Sequence, residues 1–112
     1  MNFDEYQLAT FATAKYPGAG TGNITALSYL GLGLGEAGEV QGKLKKIIRD
    51  DQSIVTPEKR DAIIDELGDV LWYVARLADE LDTSLDQIAE SNIEKLFDRS
   101  KRGVLGGSGD NR

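Results

Sequence analysis

The chain has 112 residues, which is the length of one domain, and its 40% hydrophobic content is enough for a compact core. A formal net charge of −6 argues against a general nucleic-acid binder, because such proteins neutralise phosphates with Lys and Arg. The absence of Cys and His excludes disulfides, thiolate zinc sites and histidine metal ligands. The apolar runs are short and the N-terminus is polar and acidic, so we expect no membrane span and no signal peptide. The lack of Cys favours a cytoplasmic setting.

Hydrophobic periodicity predicts four helices and almost no strand. The first helix runs from about Asn2 to Lys15 and ends before Pro17, because a residue preceding proline is pushed away from helical angles. The second begins after Asn23, a favourable N-cap residue, and continues to about Arg49 with apolar residues at steps of three and four. The cationic residues in its last two turns suit the negative end of the helix dipole.

The third predicted helix starts with Thr56 as N-cap and Pro57 at the first helical position, where its missing N–H does no harm. The fourth starts with Thr83 or Ser84 as N-cap and stops at Gly103. An apolar stripe along the third helix is predicted to be core. Its residues are Ile63, Leu67, Val70, Val74, Leu77 and Leu81.

These elements predict an all-α fold, a four-helix bundle formed by residues 1–102. Residues 103–112 form a tail rich in Gly and polar residues. By composition the tail is a flexible chain end, and the alternative is a segment that becomes ordered over an active site.

Five glycines in the second predicted helix contradict its helical pattern. Each costs about 0.8 to 1 kcal/mol relative to Ala in a helix interior. One explanation is close approach of another helix or of a ligand, and the other is that the helix is interrupted between residues 31 and 35. The glycines are Gly31, Gly33, Gly35, Gly38 and Gly42.

Two acidic pairs stand out in the helical segments. Glu36 and Glu39 lie three residues apart in the second predicted helix, and Glu66 and Asp69 lie three residues apart in the third. A step of three puts both side chains of a pair on one helix face, so two packed helices would offer four oxygen ligands to a hard cation such as Mg²⁺. The alternative is that these are ordinary solvated charges, with Lys43 as an ion-pair partner of Glu39. Both pairs flank apolar positions, where unpaired carboxylates would repel one another and lose solvation, and this favours a cation.

Three stretches resemble the motifs of MazG-type nucleotide pyrophosphohydrolases, in the all-α NTP pyrophosphatase superfamily. They are residues 35–46 (GEAGEVQGKLKK), residues 65–75 (DELGDVLWYVA) and residues 92–99 (NIEKLFDR), and the resemblance covers nearly the whole chain. It implies hydrolysis of a nucleoside triphosphate to a nucleoside monophosphate and pyrophosphate, with Mg²⁺, or Mn²⁺ as a substitute, as cofactor. The metal-binding and catalytic residues that it implies are Glu36, Glu39, Glu66 and Asp69.

The resemblance also assigns the nucleotide-binding residues. Asn92 and Lys95 match a motif that contacts the nucleotide and its phosphates, and Lys43 and Arg99 are further candidates to hold phosphates. Many family members carry a second glutamate where this chain has Gly35, so the number of metal ions stays open. Trp72 and Tyr73 follow the second acidic pair, and either stacks on a base or packs in the core, with packing favoured for Trp72.

The assembly expected from the family is a homodimer or homotetramer with sites composed from both subunits. A long glycine-bearing interface in a small helical chain is consistent with this. Two other functions stay open: a non-catalytic helical module that binds a nucleotide or a protein in the same groove, and an acidic bundle that buffers Ca²⁺ or Mg²⁺. The buffering bundle is disfavoured because the chain has no Asp-rich loop of EF-hand type, and the lack of His excludes a di-iron bundle.

Overall fold

The computed structural model describes residues 1–109, and all regular structure in this range is helical. The all-α fold is therefore confirmed. Two 3₁₀ turns, at Phe11–Thr13 and Leu34–Glu36, accompany the α-helices. The helices are α1 (Phe3–Thr10), α2 (Ile24–Gly33), α3 (Ala37–Asp50), α4 (Pro57–Glu80) and α5 (Leu85–Lys101).

The second predicted helix is divided into α2 and α3 by the 3₁₀ turn at residues 34–36. The other three predicted helices correspond to α1, α4 and α5. Of the two explanations offered for the glycines, an interruption is thus observed, at residues 34–36 rather than between residues 31 and 35. The backbone of Gly33, Leu34 and Ala37 keeps right-handed helical angles through the turn. The chain therefore tightens at this point without leaving a helical path.

Side-chain caps define where the helices begin. Asn23 Oδ1 accepts from the N–H of Ala26 at 3.0 Å, and Thr56 Oγ1 accepts from the N–H of Lys59 at 3.2 Å. Both N-caps are as predicted, and Ser84 rather than Thr83 caps α5. These caps satisfy backbone donors that a helix leaves unpaired in its first turn.

The last turn of α5 is closed by Gly103, which has a left-handed φ of +73°. Its N–H bonds to the carbonyl of Ser100 at 3.2 Å, and the N–H of Val104 bonds to the carbonyl of Arg99 at 2.9 Å. This pair of hydrogen bonds is a Schellman motif, which favours glycine at the left-handed position. The helix ends two residues before the predicted Gly103.

Helix α4 is the centre of the fold and contacts α1, α2, α3, α5 and the 3₁₀ turn at residues 34–36. A small core forms where α2 and the segment after α1 meet α4, with Tyr16, Ala26 and Leu30 buried. Trp72 and Tyr73 of α4 pack against it while partly exposed.

The prediction that the whole apolar stripe of α4 is core is wrong in this protomer. Leu67 is 52% exposed and Leu81 is 60% exposed, whereas the stripe residues between them, Val70, Val74 and Leu77, are partly buried. On α5, Ile93 and Phe97 are 49% and 64% exposed. Within the described residues, the neighbouring helices cover only part of the surface of α4 and of α5, so apolar side chains on both helices stay exposed.

A buried network of polar side chains joins the first 22 residues to α4. The guanidinium of Arg76, which is 1% exposed, donates to the Asp79 carboxylate at 2.6 Å and to the hydroxyls of Tyr16 and Thr10 at 3.2 and 3.3 Å. The Phe11 ring covers the guanidinium at 5.5 Å. A buried charge costs little only when it is paired and hydrogen-bonded in this way.

The carboxylate of Glu80 holds the loop between α1 and α2. It accepts from the Tyr16 hydroxyl at 2.6 Å and from the N–H groups of Gly20 and Gly22, both at 2.7 Å. Both glycines have left-handed φ angles, +82° and +65°, which most residues with a side chain avoid. One carboxylate therefore fixes the path of this loop.

Gln7 connects α1 to the corner between α4 and α5. Its side-chain N–H groups donate to Asp79 at 2.7 Å and to the carbonyl of Thr83 at 2.9 Å, and its carbonyl accepts from the N–H of Leu85 at 2.9 Å. A buried amide with these partners has its donors and its acceptor satisfied. Gln7 thus links α1 to the end of α4 and to the first residue of α5.

We expect the fold to lose stability in acid partly through Glu80. Burial raises the pKa of this carboxyl, but the hydrogen bonds from Tyr16, Gly20 and Gly22 and the charge of Arg76 outweigh burial and lower the pKa below its ordinary value. A depressed pKa in the folded state means that the stabilisation is complete above the unfolded pKa and is lost as pH falls through the folded pKa. Thermal midpoints measured from pH 7 to pH 3 check this. The fall should be shallower in Glu80→Gln, and identical profiles would contradict the assignment.

None of the helices within residues 1–109 combines the length and the apolar content needed to cross a membrane.

Candidate metal centre

Three of the four predicted carboxylates lie together. Glu36, Glu66 and Asp69 each offer one oxygen such that these oxygens lie within 4.8 Å of one another. Glu36 and Glu66 are half-buried and Asp69 is exposed. The group therefore lies at the surface of the protomer with one open side.

Local structure explains why these side chains converge. Glu66 and Asp69 are three residues apart on α4 and so share one helix face. Glu36 ends the 3₁₀ turn that packs against α4. The turn between α2 and α3 is thus the element that directs Glu36 toward the pair on α4.

Gly33 allows α2 to approach α4 at this point. A Cβ atom added to Gly33 would lie 2.6 Å from Cζ of the Tyr73 ring, which is too close. Of the five glycines noted in the sequence, Gly33 is thus explained by close approach within the protomer. The same explanation is wrong inside this protomer for the other four glycines, because a Cβ atom on any of them would meet no described atom within 4 Å. These glycines are Gly31, Gly35, Gly38 and Gly42.

Substituting two glycines of α2 by alanine should change stability in opposite directions. Gly33→Ala forces the Tyr73 ring to move, and overpacking of this kind costs about 1 to 3 kcal/mol. Gly31→Ala has open space around its new methyl group and should stabilise the helix by up to about 1 kcal/mol. Chemical denaturation of both variants measures the difference. Equal effects would show that the Tyr73 contact does not control the approach of α2.

The donor set fits a hard divalent cation. Carboxylate oxygens are the ligands that Mg²⁺ prefers, and an ion with ligands at about 2.1 Å places neighbouring ligand oxygens about 3.0 Å apart and opposite ones about 4.2 Å apart. The oxygens of Glu36, Glu66 and Asp69 are separated by at most 4.8 Å. The separation of the three oxygens is therefore close to the separation that one Mg²⁺ ion requires.

Lys43 supplies a positive charge beside this group. Its Nζ lies 3.6 Å from Oε1 of Glu66, across the contact between α3 and α4. The sequence suggested Glu39, one turn away on the same helix, as its ion-pair partner, and the structure pairs it with Glu66 instead. Glu39 is exposed and lies outside the group of three carboxylates.

Burial and the negative charge of the carboxylates raise the pKa of two tyrosines. Burial first, and then the charges of Tyr29, Glu36 and Asp69, raise the pKa of Tyr73 above its ordinary value. Burial and the charge of Asp69 also raise the pKa of Tyr6, on α1. Both phenols therefore stay protonated and uncharged at neutral pH. Sequence reasoning missed Tyr6, because a single tyrosine in the first predicted helix gives no signal of a neighbouring carboxylate.

Trp72 has the environment of a packing residue. Its indole N–H donates to the Thr13 hydroxyl at 2.8 Å, and its ring meets Tyr16 and Tyr73 edge-on with centroids 6.2 and 5.2 Å away. Such pairs stabilise a core at aromatic spacing. Tyr16 also stacks on Tyr29 at 5.8 Å, which extends the aromatic cluster toward the exposed side of α2.

The predicted nucleotide-binding residues of α5 lie in a separate pocket. Asn92 and Lys95 line an open cavity of about 570 Å³, which none of the predicted carboxylates lines. Its other lining residues are Thr83, Gln87, Ile88 and Ser91. Arg99 is only 4% exposed, so binding of phosphate by this side chain requires it to leave its present surroundings.

The fold and the carboxylate group together define an all-α protein with a candidate site for a divalent cation. Residues 24–104 match the family model of the MazG nucleotide pyrophosphohydrolase domain, and the chain belongs to this family. The Gene 37 protein of Mycobacterium phage L5 is 53% identical over 114 residues, with complete coverage of both chains. No solved structure matches the chain.

Proposed function

We propose that this protein is a Mg²⁺-dependent nucleoside triphosphate pyrophosphohydrolase that converts an NTP or dNTP and water to the monophosphate and pyrophosphate. The observation that carries the proposal is the convergence of Glu36, Glu66 and Asp69 in a chain of the MazG nucleotide pyrophosphohydrolase domain family. The three carboxylates hold Mg²⁺, or Mn²⁺ in its place. Glu39, one turn along the same helical path, completes the set when its side chain turns inward.

In the proposed reaction, the cation and the carboxylate side chains have different roles. Bound Mg²⁺ neutralises charge on the phosphate oxygens and lowers the pKa of water. A carboxylate of the group accepts a proton from the attacking water, whose oxygen forms a bond to the α-phosphorus as the bond from that phosphorus to the bridging oxygen breaks. Pyrophosphate leaves with the electron pair, and no covalent nucleophile is needed.

Cationic and amide side chains hold the phosphates in this proposal. Lys43 lies beside the carboxylates, so its ammonium reaches a phosphate held there. Asn92 and Lys95 line the pocket on α5, and Arg99 follows them on the same helix. That pocket and the carboxylates share no lining residue, and in this proposal a second copy brings its α5 to the carboxylates of the first.

Release of pyrophosphate from a panel of NTPs and dNTPs tests the function. The wild-type protein with Mg²⁺ is expected to release pyrophosphate from at least one nucleotide, and the same protein with EDTA is expected to release none. Absence of pyrophosphate with the whole panel would sink the enzymatic function. Saturable binding of a nucleotide without turnover would then favour the non-catalytic helical module.

A homo-oligomer is part of the proposal, and the large accessible surface area of the protomer supports it. The chain has an accessible surface of 7840 Å², whereas a compact monomer of 12.2 kDa has about 6,100 Å². Its radius of gyration is 17.0 Å, against about 13 Å for a compact chain of this length. The excess of about 1,700 Å² exceeds the roughly 800 Å² that each partner gives to a standard interface.

We expect light scattering to give a mass of two or four times 12.2 kDa at micromolar concentration. Phe97→Asp puts a charge on the exposed apolar face of α5 and should shift the mass toward the monomer. Lys101→Asp, on an exposed polar position of the same helix, is the control. A monomeric wild-type protein would contradict the prediction.

A further inference from the structure

The ammonium of Lys43 occupies a particular place relative to the carboxylates. It lies 3.6 Å from Glu66, and the two side chains are only 32% and 18% exposed. The oxygen of Glu66 lies within 4.8 Å of those of Glu36 and Asp69. One positive charge from α3 therefore stands at the edge of three negative charges.

The ammonium of Lys43 stabilises the three carboxylates when no metal ion is bound. Three carboxylates at such spacing repel one another, and a nearby ammonium offsets part of that repulsion. A lysine is suited to a temporary contact, since it is a point charge on a flexible stem and makes no fixed two-pronged pair with a carboxylate. A divalent cation bound to Glu66 and the ammonium of Lys43 would repel each other, so they compete for the same carboxylate.

We infer that Lys43 is the internal counter-ion of the metal-free site and that the metal ion displaces its ammonium from Glu66. The inference rests on the proposed function for the identity of the metal. It has two consequences of opposite sign: Lys43 weakens binding of Mg²⁺ alone, and the displaced ammonium strengthens binding of the triphosphate. The residue thereby favours Mg²⁺ that arrives with a nucleotide over Mg²⁺ alone.

Calorimetric titration of the nucleotide-free protein with MgCl₂ tests the first consequence. Lys43→Met keeps the apolar stem and removes the charge, and it is expected to bind Mg²⁺ on the order of tenfold more tightly than the wild type. Lys45→Met makes the same change in net charge at an exposed position of α3 and should leave the affinity close to that of the wild type. Lys43→Arg, which keeps the charge, should also stay close to it.

Thermal unfolding gives a second readout that needs no turnover. In EDTA, Lys43→Met should unfold at a lower temperature than Lys45→Met, because its carboxylates have lost their counter-ion. Saturating Mg²⁺ should raise its midpoint by more than it raises that of the wild type, because a tighter ligand stabilises more at a given concentration. A folded but destabilised variant therefore still reports on the inference.

The outcomes separate this inference from the proposed function. If wild type binds Mg²⁺ and Lys43→Met binds it no more tightly than Lys45→Met does, the counter-ion role is overturned while the metal site stands. If the wild type gives neither heat nor stabilisation with Mg²⁺, the metal site fails and the inference fails with it. A rise in the KM for nucleotide in Lys43→Met, together with tighter Mg²⁺ binding, supports both consequences.

Discussion

Replacement of Asp69 by Asn is expected to lower the rate of pyrophosphate release by about 10²- to 10³-fold, as removal of one group that stabilises charge in a reaction typically does. The side chain keeps its size but loses its charge, so both the hold on Mg²⁺ and the capacity to accept a proton weaken. The group of three carboxylates falls to two, Glu36 and Glu66. Initial rates of pyrophosphate release at saturating nucleotide and Mg²⁺ measure the effect.

The matched control is Asp61→Asn, about two turns earlier on α4. Asp61 is exposed and pairs with the exposed Arg60 at 3.3 Å, an arrangement worth little to stability. Its rate should stay within about twofold of the wild type, since it takes no part in the site. A wild-type rate in Asp69→Asn would remove this residue from the catalytic group. Glu39→Gln in the same assay decides whether the fourth predicted carboxylate contributes, and a loss comparable to that of Asp69→Asn would place it in the reacting set.

The features that the sequence predicts correctly are those decided within one or two helical turns. Asn23 and Thr56 cap helices because a short polar side chain reaches an N–H three residues ahead. Glu66 and Asp69 share a face because a step of three residues on a helix leaves no other arrangement. Nothing beyond the local chain was needed for either.

The features that escaped prediction depend on contacts between distant residues. Arg76 and Glu80 bind groups 58 to 66 residues earlier in the chain, and no periodicity links such positions. A signal was present, because two charged residues close to the apolar Ala75 and Ala78 require buried partners. The partners themselves could not be read from the pattern.

The exposed apolar residues of α4 and α5 have a different origin. A repeat at steps of three and four shows that one face of a helix is apolar, but it does not show what covers that face. Leu67 and Phe97 fit the helical pattern and yet are more than half exposed in the protomer. The pattern does not say whether that face is covered within one chain, which is why the interpretation of the stripe as an internal core was too broad.

Replacement of Glu80 by Leu is expected to destabilise the fold by about 3 to 5 kcal/mol, the usual cost of removing one partner from a buried charge network. The N–H groups of Gly20 and Gly22 and the hydroxyl of Tyr16 would lose their acceptor, and the buried charge of Arg76 would lose a nearby anion. A loss of this size is a large part of the roughly 5 to 15 kcal/mol that stabilises a typical domain. The midpoint of thermal unfolding should fall by about 15 °C or more.

Glu80→Gln is the graded control for that substitution. An amide of the same shape keeps one carbonyl acceptor but turns its NH₂ group toward one of the donors, so its midpoint should lie between those of Glu80→Leu and the wild type. Unfolding followed by circular dichroism in EDTA measures all three without any contribution from metal. A Leu variant as stable as the wild type would show that the glycine loop does not depend on this carboxylate.

Measured together, Asp69 and Glu80 of α4 distinguish the scaffold from the site. Asp69 is exposed and lies in the carboxylate group, so Asp69→Asn should lose Mg²⁺ affinity while keeping a midpoint near that of the wild type. Glu80 is buried 11 residues further along the helix, so Glu80→Leu should lose stability while its folded fraction binds Mg²⁺ at 10 °C as the wild type does. Loss of both properties in either variant would mean that the loop held by Glu80 also orders the carboxylates, and the path for that coupling would be the stacked contact of Tyr16 with Tyr29 beside Tyr73.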